Sequence, residues 1–266
     1  MEVIIDILKS LFLGLVQGLG EFLPVSSSGH LLLFQRIFGI EEGGHLMTVL
    51  LHVGTLAAVV IVYREKIWEL IKKPIQWKTL WIITATAVTA LITLVFKKFF
   101  DWAENGSILW LCFLITAGLL AAGELLKKNR PMKLETEDMK WYHAVIIGGI
   151  QGVAVLPGVS RSGSTITGAM LCGMKKKDAA EFSFLLSIPA ILGGLVLEIP
   201  DLVKSGTGGF TWYGILIGMI AAGVSGYFAV RFMIRLITKK SLWGFAAYTC
   251  ALGLFLLLNE YVLKLF

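Results

Sequence analysis

The chain has 266 residues, of which 56% are hydrophobic and only 16% charged, and its mean hydropathy is +0.79. Soluble domains carry about a quarter of their residues as charges, so this composition points to a membrane and excludes a disordered chain, a coiled coil or a disulfide scaffold. The net charge of +6 lies between long apolar runs and not on a soluble face, which marks cytoplasmic loops and excludes nucleic acid as a partner.

In chain order, the first apolar stretch covers residues 10–35 and is interrupted by Glu21, with Pro, Gly and Ser at its middle. Stretches free of Asp, Glu, Lys and Arg follow at 43–63, 79–96 and 105–123. A second interrupted stretch covers 141–174, with Arg161 inside it, and three more charge-free stretches lie at 182–197, 205–230 and 241–259. Each charge-free stretch is close to the ~20 residues that cross ~30 Å of hydrocarbon, which predicts six spans. The two interrupted stretches would leave backbone groups unpaired as straight lipid-facing helices, so they are predicted to be re-entrant. The expected fold is an all-α polytopic membrane protein of six transmembrane helices plus two re-entrant helical hairpins, in a single integral membrane domain over 1–266. Glu2 and Asp6 precede any basic residue, which argues against a signal peptide. Cys112, Cys172 and Cys250 each sit in an apolar run and are read as small core residues.

Loop charges support this topology. Arg64, Lys66, Lys72, Lys73 and Lys78, then Lys127, Lys128, Arg130, Lys133 and Lys140, then Lys175, Lys176 and Lys177, then Arg231, Arg235, Lys239 and Lys240 all fall on one side. The other side holds Lys9, Arg36, Lys97, Lys98, Lys204 and Lys264. The richer side is assigned to the cytoplasm.

The chain also resembles itself. Gly14, Gln17, Gly18, Ser26, Ser28 and Gly29 recur 134 residues later as Gly148, Gln151, Gly152, Ser160, Ser162 and Gly163. Each half, approximately 1–130 and 135–266, reads as a hairpin followed by three spans. Three is odd, so the second half is expected to be an inverted-topology repeat, with a shared site near the membrane midplane at the broken helices.

Two motifs meet there. Gln17 and Glu21 are four apart and share a helical face, and Pro24 ends that helix. Ser26, Ser27, Ser28, Gly29 and His30 then open the next segment. In the second half the run is Pro157, Gly158, Val159, Ser160, Arg161, Ser162, Gly163, Ser164, Thr165. Serines at a helix start cap it and leave N–H groups pointing outward, which suits an anion and above all a phosphate. Arg161 adds a fork of donors that matches phosphate oxygens. A charge at bilayer depth costs roughly 2.5–3.5 kcal/mol or more, so Glu21 and Arg161 are expected to be paired or functional. His45 and His52, seven apart, are read as interface or packing residues, and His143 as a solvated loop-edge residue. Glu41, Glu42, Glu124, Glu181, Glu198 and Glu260 are read as boundary charges, with Glu181 or Glu198 open to a position nearer the site.

At these residues the chain resembles the undecaprenyl-diphosphate phosphatase family, also called the bacitracin-resistance family. The likeness rests on Gln17-Gly18-Leu19-Gly20-Glu21, on the 23–30 stretch and on the 157–165 run. It covers essentially the whole chain. Many members have Glu where this chain has Gln17, which weakens any scheme that needs two carboxylates there. The resemblance implies hydrolysis of undecaprenyl diphosphate to the monophosphate lipid carrier and inorganic phosphate, recycling the carrier for cell-wall synthesis and conferring bacitracin resistance. It implies a divalent cation, Mg²⁺ or Ca²⁺, with Glu21 as a tentative ligand. The implied partners are a polyprenyl diphosphate substrate and membrane lipids, and a homodimer through the spans is left open. The implied location is the bacterial inner (cytoplasmic) membrane, with the site facing the periplasm or cell exterior. By the same resemblance Ser27 is the nucleophile, Glu21 its base and Arg161 the clamp. His30 binds phosphate or protonates the leaving group, while Gln17, Ser26, Ser28, Ser160, Ser162 and Thr165 hold oxygens. Direct attack by water stays open at this stage, and so does a transporter or flippase of an anionic lipid using the same site.

Overall fold

A computed structural model describes residues 2–40, 44–129, 132–205 and 210–265. Their helices are α1 (Glu2–Phe22), α2 (Ser27–Ile37), α3 (Gly44–Val62), α4 (Arg64–Lys72), α5 (Trp77–Val95), α6 (Lys97–Ala103), α7 (Leu109–Asn129), α8 (Trp141–Val153), α9 (Arg161–Leu171), α10 (Lys176–Ser205), α11 (Trp212–Lys239) and α12 (Trp243–Leu258). A π-helical turn, Asn259–Leu263, ends the chain. The side chains of His45, Lys127, Lys128, Glu198 and Lys204, and all of Glu41, Glu42 and Arg130, lie outside what is described.

Among the described residues, six helices are long and apolar enough to cross a membrane: α1, α5, α7, α10, α11 and α12. The number matches the sequence reading, but the membership differs. Helix α1 qualifies in its own right, whereas α3 does so only together with α4, across a bend of 77°. Length and composition therefore allow six crossings among the described residues, or seven if the bent α3–α4 pair makes one. The 64–78 segment, expected as a loop, contains α4, which has no buried residue. Its charged and apolar residues fit a helix lying in the headgroup layer. The basic 175–177 and 231–240 segments largely belong to the ends of α10 and α11. Lys and Arg are good helix formers, so these helices continue beyond their apolar limits.

Burial along α11 is inverted relative to a soluble helix. Gly214, Gly218, Ala221, Ala222, Ser225, Gly226 and Ala229 are buried, while Leu216, Ile220, Val224, Phe228 and Phe232 form an exposed stripe. Small residues inside and large apolar ones outside are what lipid demands, because backbones must approach closely where no hydrophobic drive holds helices together. This arrangement defines a multi-pass membrane protein.

The two halves contact each other in matching ways. Helices α2 and α9 both run eleven residues and start 134 positions apart. Helix α1 packs mainly on α11, and α8 mainly on α5. A Cβ at Gly14 would overlap the Gly218 carbonyl of α11, and one at Gly148 would overlap the Ala85 carbonyl of α5. The same close crossing thus holds each broken helix against a span of the opposite half.

Gly14→Ala is expected to destabilise the protein by more than ~1 kcal/mol, since a backbone has to move to admit the methyl group. Gly118 in α7 has nothing within 4 Å of its hypothetical Cβ, so Gly118→Ala should be neutral or stabilising by about 0.5–1 kcal/mol. Thermal unfolding of both variants in detergent checks the contrast.

Candidate active site

The site forms where α1 and α8 break. Pro24 stops α1, and the chain turns through Ser26, which holds φ 67° and ψ 96°. A positive φ is costly for a residue with a side chain, by about 1–3 kcal/mol, and here it is held by several hydrogen bonds. Ser26 Oγ accepts the Gly29 N–H at 3.3 Å and so caps α2. It also accepts the Gly158 N–H at 3.1 Å from the other half. Ser160 caps α9 in the same way, accepting from Gly163 at 3.1 Å. Gly158 turns with φ +94°. Thr116 of α7 secures this turn: its hydroxyl donates to Gly158 O at 2.9 Å and accepts from Ser160 N at 2.9 Å.

The two turns interlock. A Cβ at Gly29 would come within 2.7 Å of Gly158 Cα, and one at Gly163 within 3.1 Å of Pro24 Cβ. Positions 29 and 163 are equivalent at the 134-residue offset, as are 24 and 158. Each helix start therefore touches the opposite turn at equivalent points. Ser162 Oγ donates across the same seam to Leu23 O at 3.1 Å.

Glu21 lies at the centre. Its Oε1 pairs with the Arg161 guanidinium. Its Oε2 accepts from Ser27 Oγ at 2.6 Å and from Gln17 Nε2 at 3.0 Å. Arg161 Nη1 also donates to Ser187 O of α10 at 3.1 Å. Glu21 is 7% exposed, and the pair bridges the two halves of the chain. A narrow crevice beside it is lined by Glu21, Phe22, Arg161, Ser162, Ser183, Phe184 and Ser187. The Ser27–Glu21 contact is the geometry of a hydroxyl activated by an adjacent base. Beside it stands a guanidinium able to take phosphoryl oxygens.

The structure gathers Gln17, Glu21, Ser27 and Arg161 into one network. Ser26 and Ser28 (Oγ to Oγ 3.3 Å), like Ser160 and Ser162 (3.3 Å), form paired hydroxyls at the two helix starts. Thr165 turns to α10, its hydroxyl 2.5 Å from Ser183 Oγ. His30 is buried against Phe113 and Tyr248, and its ring nitrogens lie 2.7 Å from Ser26 O and from Tyr248 Oη and not on Glu21 or Ser27.

Sequence reasoning missed four participants. His52 of α3, read as a packing residue, has Nε2 3.6 Å from Glu21 Oε2. Its pairing with Glu21 was foreshadowed only by a polar residue within an apolar span. Ser183, Thr116 and Tyr248 come from spans whose patterns carry no chemical signal. Glu181 stays away from the centre and pairs with Lys66 and Lys78. Glu124 pairs with Lys176 and accepts from Leu242 N at 2.9 Å. His143, expected to be solvated, is buried in the first turn of α8, where Nδ1 accepts from Lys140 N at 3.1 Å; the reason is that the helix begins at Trp141, so its first turn already packs.

Fold and site together define a polytopic all-α membrane protein with a buried serine–carboxylate–guanidinium centre between two helix breaks. A family model described as bacitracin resistance protein BacA matches residues 10–255. The protein is 45% identical over 255 residues to an undecaprenyl-diphosphatase of Carboxydothermus hydrogenoformans, covering 95% of this chain and 97% of the relative. It is 42% identical over 265 residues to an undecaprenyl-diphosphatase of Alkaliphilus metalliredigens, covering 92% and 95%. It is 36% identical over 255 residues to undecaprenyl-diphosphatase 3 of Bacillus cereus, covering 96% and 97%. The chain belongs to the BacA family.

Removing one partner of a buried ion pair leaves the other charge uncompensated, at a cost of about 3–5 kcal/mol, whereas replacing both often costs far less. Arg161→Met and Glu21→Gln should each lower the unfolding temperature, and the double variant should unfold above at least one single. Differential scanning fluorimetry in detergent reads this without any substrate.

Proposed function

We propose that the protein hydrolyses undecaprenyl diphosphate to undecaprenyl phosphate and inorganic phosphate. The single observation that carries the reading is the Ser27 hydroxyl donating at 2.6 Å to a Glu21 oxygen, with Arg161 on the other oxygen of that carboxylate. Family membership supports it, since the relatives named above are undecaprenyl-diphosphatases.

Binding comes first. The terminal phosphate draws the Arg161 guanidinium away from Glu21, and the fork takes two phosphoryl oxygens. The hydroxyls of Ser26, Ser28, Ser160 and Ser162 and the starts of α2 and α9 offer further donors. Freed of its cation, Glu21 takes the Ser27 proton as Oγ attacks the terminal phosphorus. The bond to the bridging oxygen breaks, and undecaprenyl phosphate leaves with that oxygen. Glu21 gives the Ser27 proton to the departing lipid phosphate and is a carboxylate again. Water then attacks the phosphoserine and passes a proton to Glu21, which returns it to Ser27 Oγ as the serine–phosphorus bond breaks and inorganic phosphate departs. Such transfers rest mainly on positioning and charge stabilisation.

A divalent cation, Mg²⁺ or Ca²⁺, fits the site only as a shared guest. Among the described residues no group of three or more His, Cys, Asp or Glu could hold a metal. Glu21 has one neighbouring oxygen to add, because Gln17 Oε1 is buried with no partner. Glu21 and Gln17 would hold the ion together with phosphate oxygens and water, the usual arrangement for Mg²⁺. When bound, the ion would offset charge on the diphosphate.

The reading places the polyprenyl chain in lipid, beside the apolar groove that Leu11, Leu15 and Leu19 of α1 form with Ile220, Val224 and Phe228 of α11. Helix α1 ends at the site. The location proposed is the bacterial cytoplasmic membrane, with the site opening outward. The concentration of basic residues in the other set of loops supports this orientation. The two halves are proposed to be an inverted repeat, supported by the equivalent contacts 134 residues apart.

The test is phosphate release from a polyprenyl diphosphate by the purified protein in detergent, with Mg²⁺ and with EDTA. The wild type should release phosphate only with the metal. Arg161→Lys, which keeps the charge and loses the fork, and Ser27→Ala should each lower the rate by about 10²-fold or more. Activity retained by Ser27→Ala would transfer the attack to water. Binding and liposome flux without hydrolysis would replace the phosphatase by a lipid transporter.

A further inference from the structure

His30 is committed at both ring nitrogens. Its Nδ1 lies 2.7 Å from Ser26 O. A carbonyl only accepts, so Nδ1 carries the proton. Its Nε2 lies 2.7 Å from the Tyr248 hydroxyl, and in the neutral ring that nitrogen accepts from the phenol. The two rings are stacked, with centroids 5.7 Å apart and planes 10° from parallel. Phe113 stands edge-on to the imidazole at 5.2 Å, so the ring is clamped on two sides. Tyr248 comes from α12, and is 218 residues away in sequence.

The chain of bonds leads to the reacting serine. Ser26 is the residue with φ 67°, and it directly precedes Ser27. Its hydroxyl is tied by Gly29 and Gly158, and its carbonyl by His30. Positive φ at a serine persists only where the surroundings over-determine it. In the equivalent turn, Ser160 has φ −69° and the position matching His30 is Ser164, so the second half has neither the strain nor the histidine.

We infer that Tyr248 is a positioning residue for the hydrolysis proposed above: it acts through His30, whose Nδ1–H holds the strained Ser26 turn and so fixes Ser27 against Glu21. This deepens that reading by adding a residue that touches neither substrate nor nucleophile. A misplacement of about 1 Å at a reacting group costs up to ~10²-fold in rate, which sets the scale of the effect.

The decisive variant is Tyr248→Phe, which keeps the stacked ring and removes only the hydroxyl. Its kcat should fall about ten- to a hundredfold with KM within about twofold of wild type. In the His30→Ala background the same substitution should change kcat by less than about twofold, because the path is already cut. Nitrogen NMR of the histidine-labelled protein supplies a readout that needs no turnover. Wild-type His30 should show a single tautomer protonated at Nδ1 with a hydrogen-bonded Nε2, and Tyr248→Phe should lose that hydrogen-bonded Nε2 signature. Unchanged kcat in Tyr248→Phe overturns the inference, as does an equal loss with and without His30. If the wild type releases no phosphate, the phosphatase reading fails. The NMR result then still decides whether Tyr248 sets the state of His30.

Discussion

Everything in the site follows from placing one carboxylate and one guanidinium inside an apolar protein. Neither charge is tolerable alone at that depth. Glu21 is therefore supplied with Arg161, Ser27 and Gln17, and Arg161 with the Ser187 carbonyl. To bring a residue of the first half against one of the second, both helices must stop at the same level. Pro24 and the 154–160 turn stop them, Ser26 and Ser160 restart them, and glycines at 29, 158 and 163 let the turns approach. The turn chemistry exists to make the ion pair possible.

On the proposed inverted repeat, equivalent positions 134 residues apart meet at one place, and the positions where the two turns differ carry the charged groups. At the 134-residue offset, Ser27 is equivalent to Arg161: each is the first residue of its helix after the capping serine. One position supplies a hydroxyl to Glu21 and the other the cation. Glu21 is equivalent to Val155, so the carboxylate has no twin to repel it. Gln17 and Gln151 are equivalent but differ in task. Gln17 binds Glu21, whereas Gln151 Nε2 donates to Thr89 at 3.0 Å. Both leave a buried carbonyl oxygen without a partner. The two turns thus differ at the positions that touch the ion pair, and also at His30, whose counterpart is Ser164.

Much of this was legible in the sequence, because breaks in an apolar run are local signals. A proline, a serine-rich cap and a lone charge identify a broken helix whatever surrounds it, and Gln17, Glu21, Ser27 and Arg161 all sit beside such breaks. Thr116, Ser183 and Tyr248 do not. They are single polar groups in otherwise apolar spans, where a hydroxyl bonded back to its own helix looks the same. Only tertiary contact separates Thr116, which secures Gly158, from Thr249, which bonds back to Phe245 O. His52 had a visible anomaly but an ambiguous one, since its seven-residue spacing from His45 suited packing equally well. Helix ends were misjudged for a different reason: charge limits how far a span lies in lipid, not how far it stays helical, so α10 and α11 continue through their lysines and arginines.

The ion pair also bears on how binding energy becomes rate. As the structure stands, the Glu21 carboxylate is held by the Arg161 guanidinium. A diphosphate competes for Arg161 with more oxygens and more charge than a single carboxylate. On the proposed reading, the exchange leaves Glu21 without its strongest partner, next to an anion, in a site already poor in water. Every one of these changes favours proton uptake by Glu21, and the nearest proton is on Ser27 Oγ at 2.6 Å. Substrate arrival thus activates the nucleophile through the same bond it breaks. On the same reading, without substrate the carboxylate stays paired with Arg161 and the serine is not activated. Interactions that strengthen only as the reaction begins are the ones that raise turnover, and a pair that must be broken by the substrate itself meets that condition.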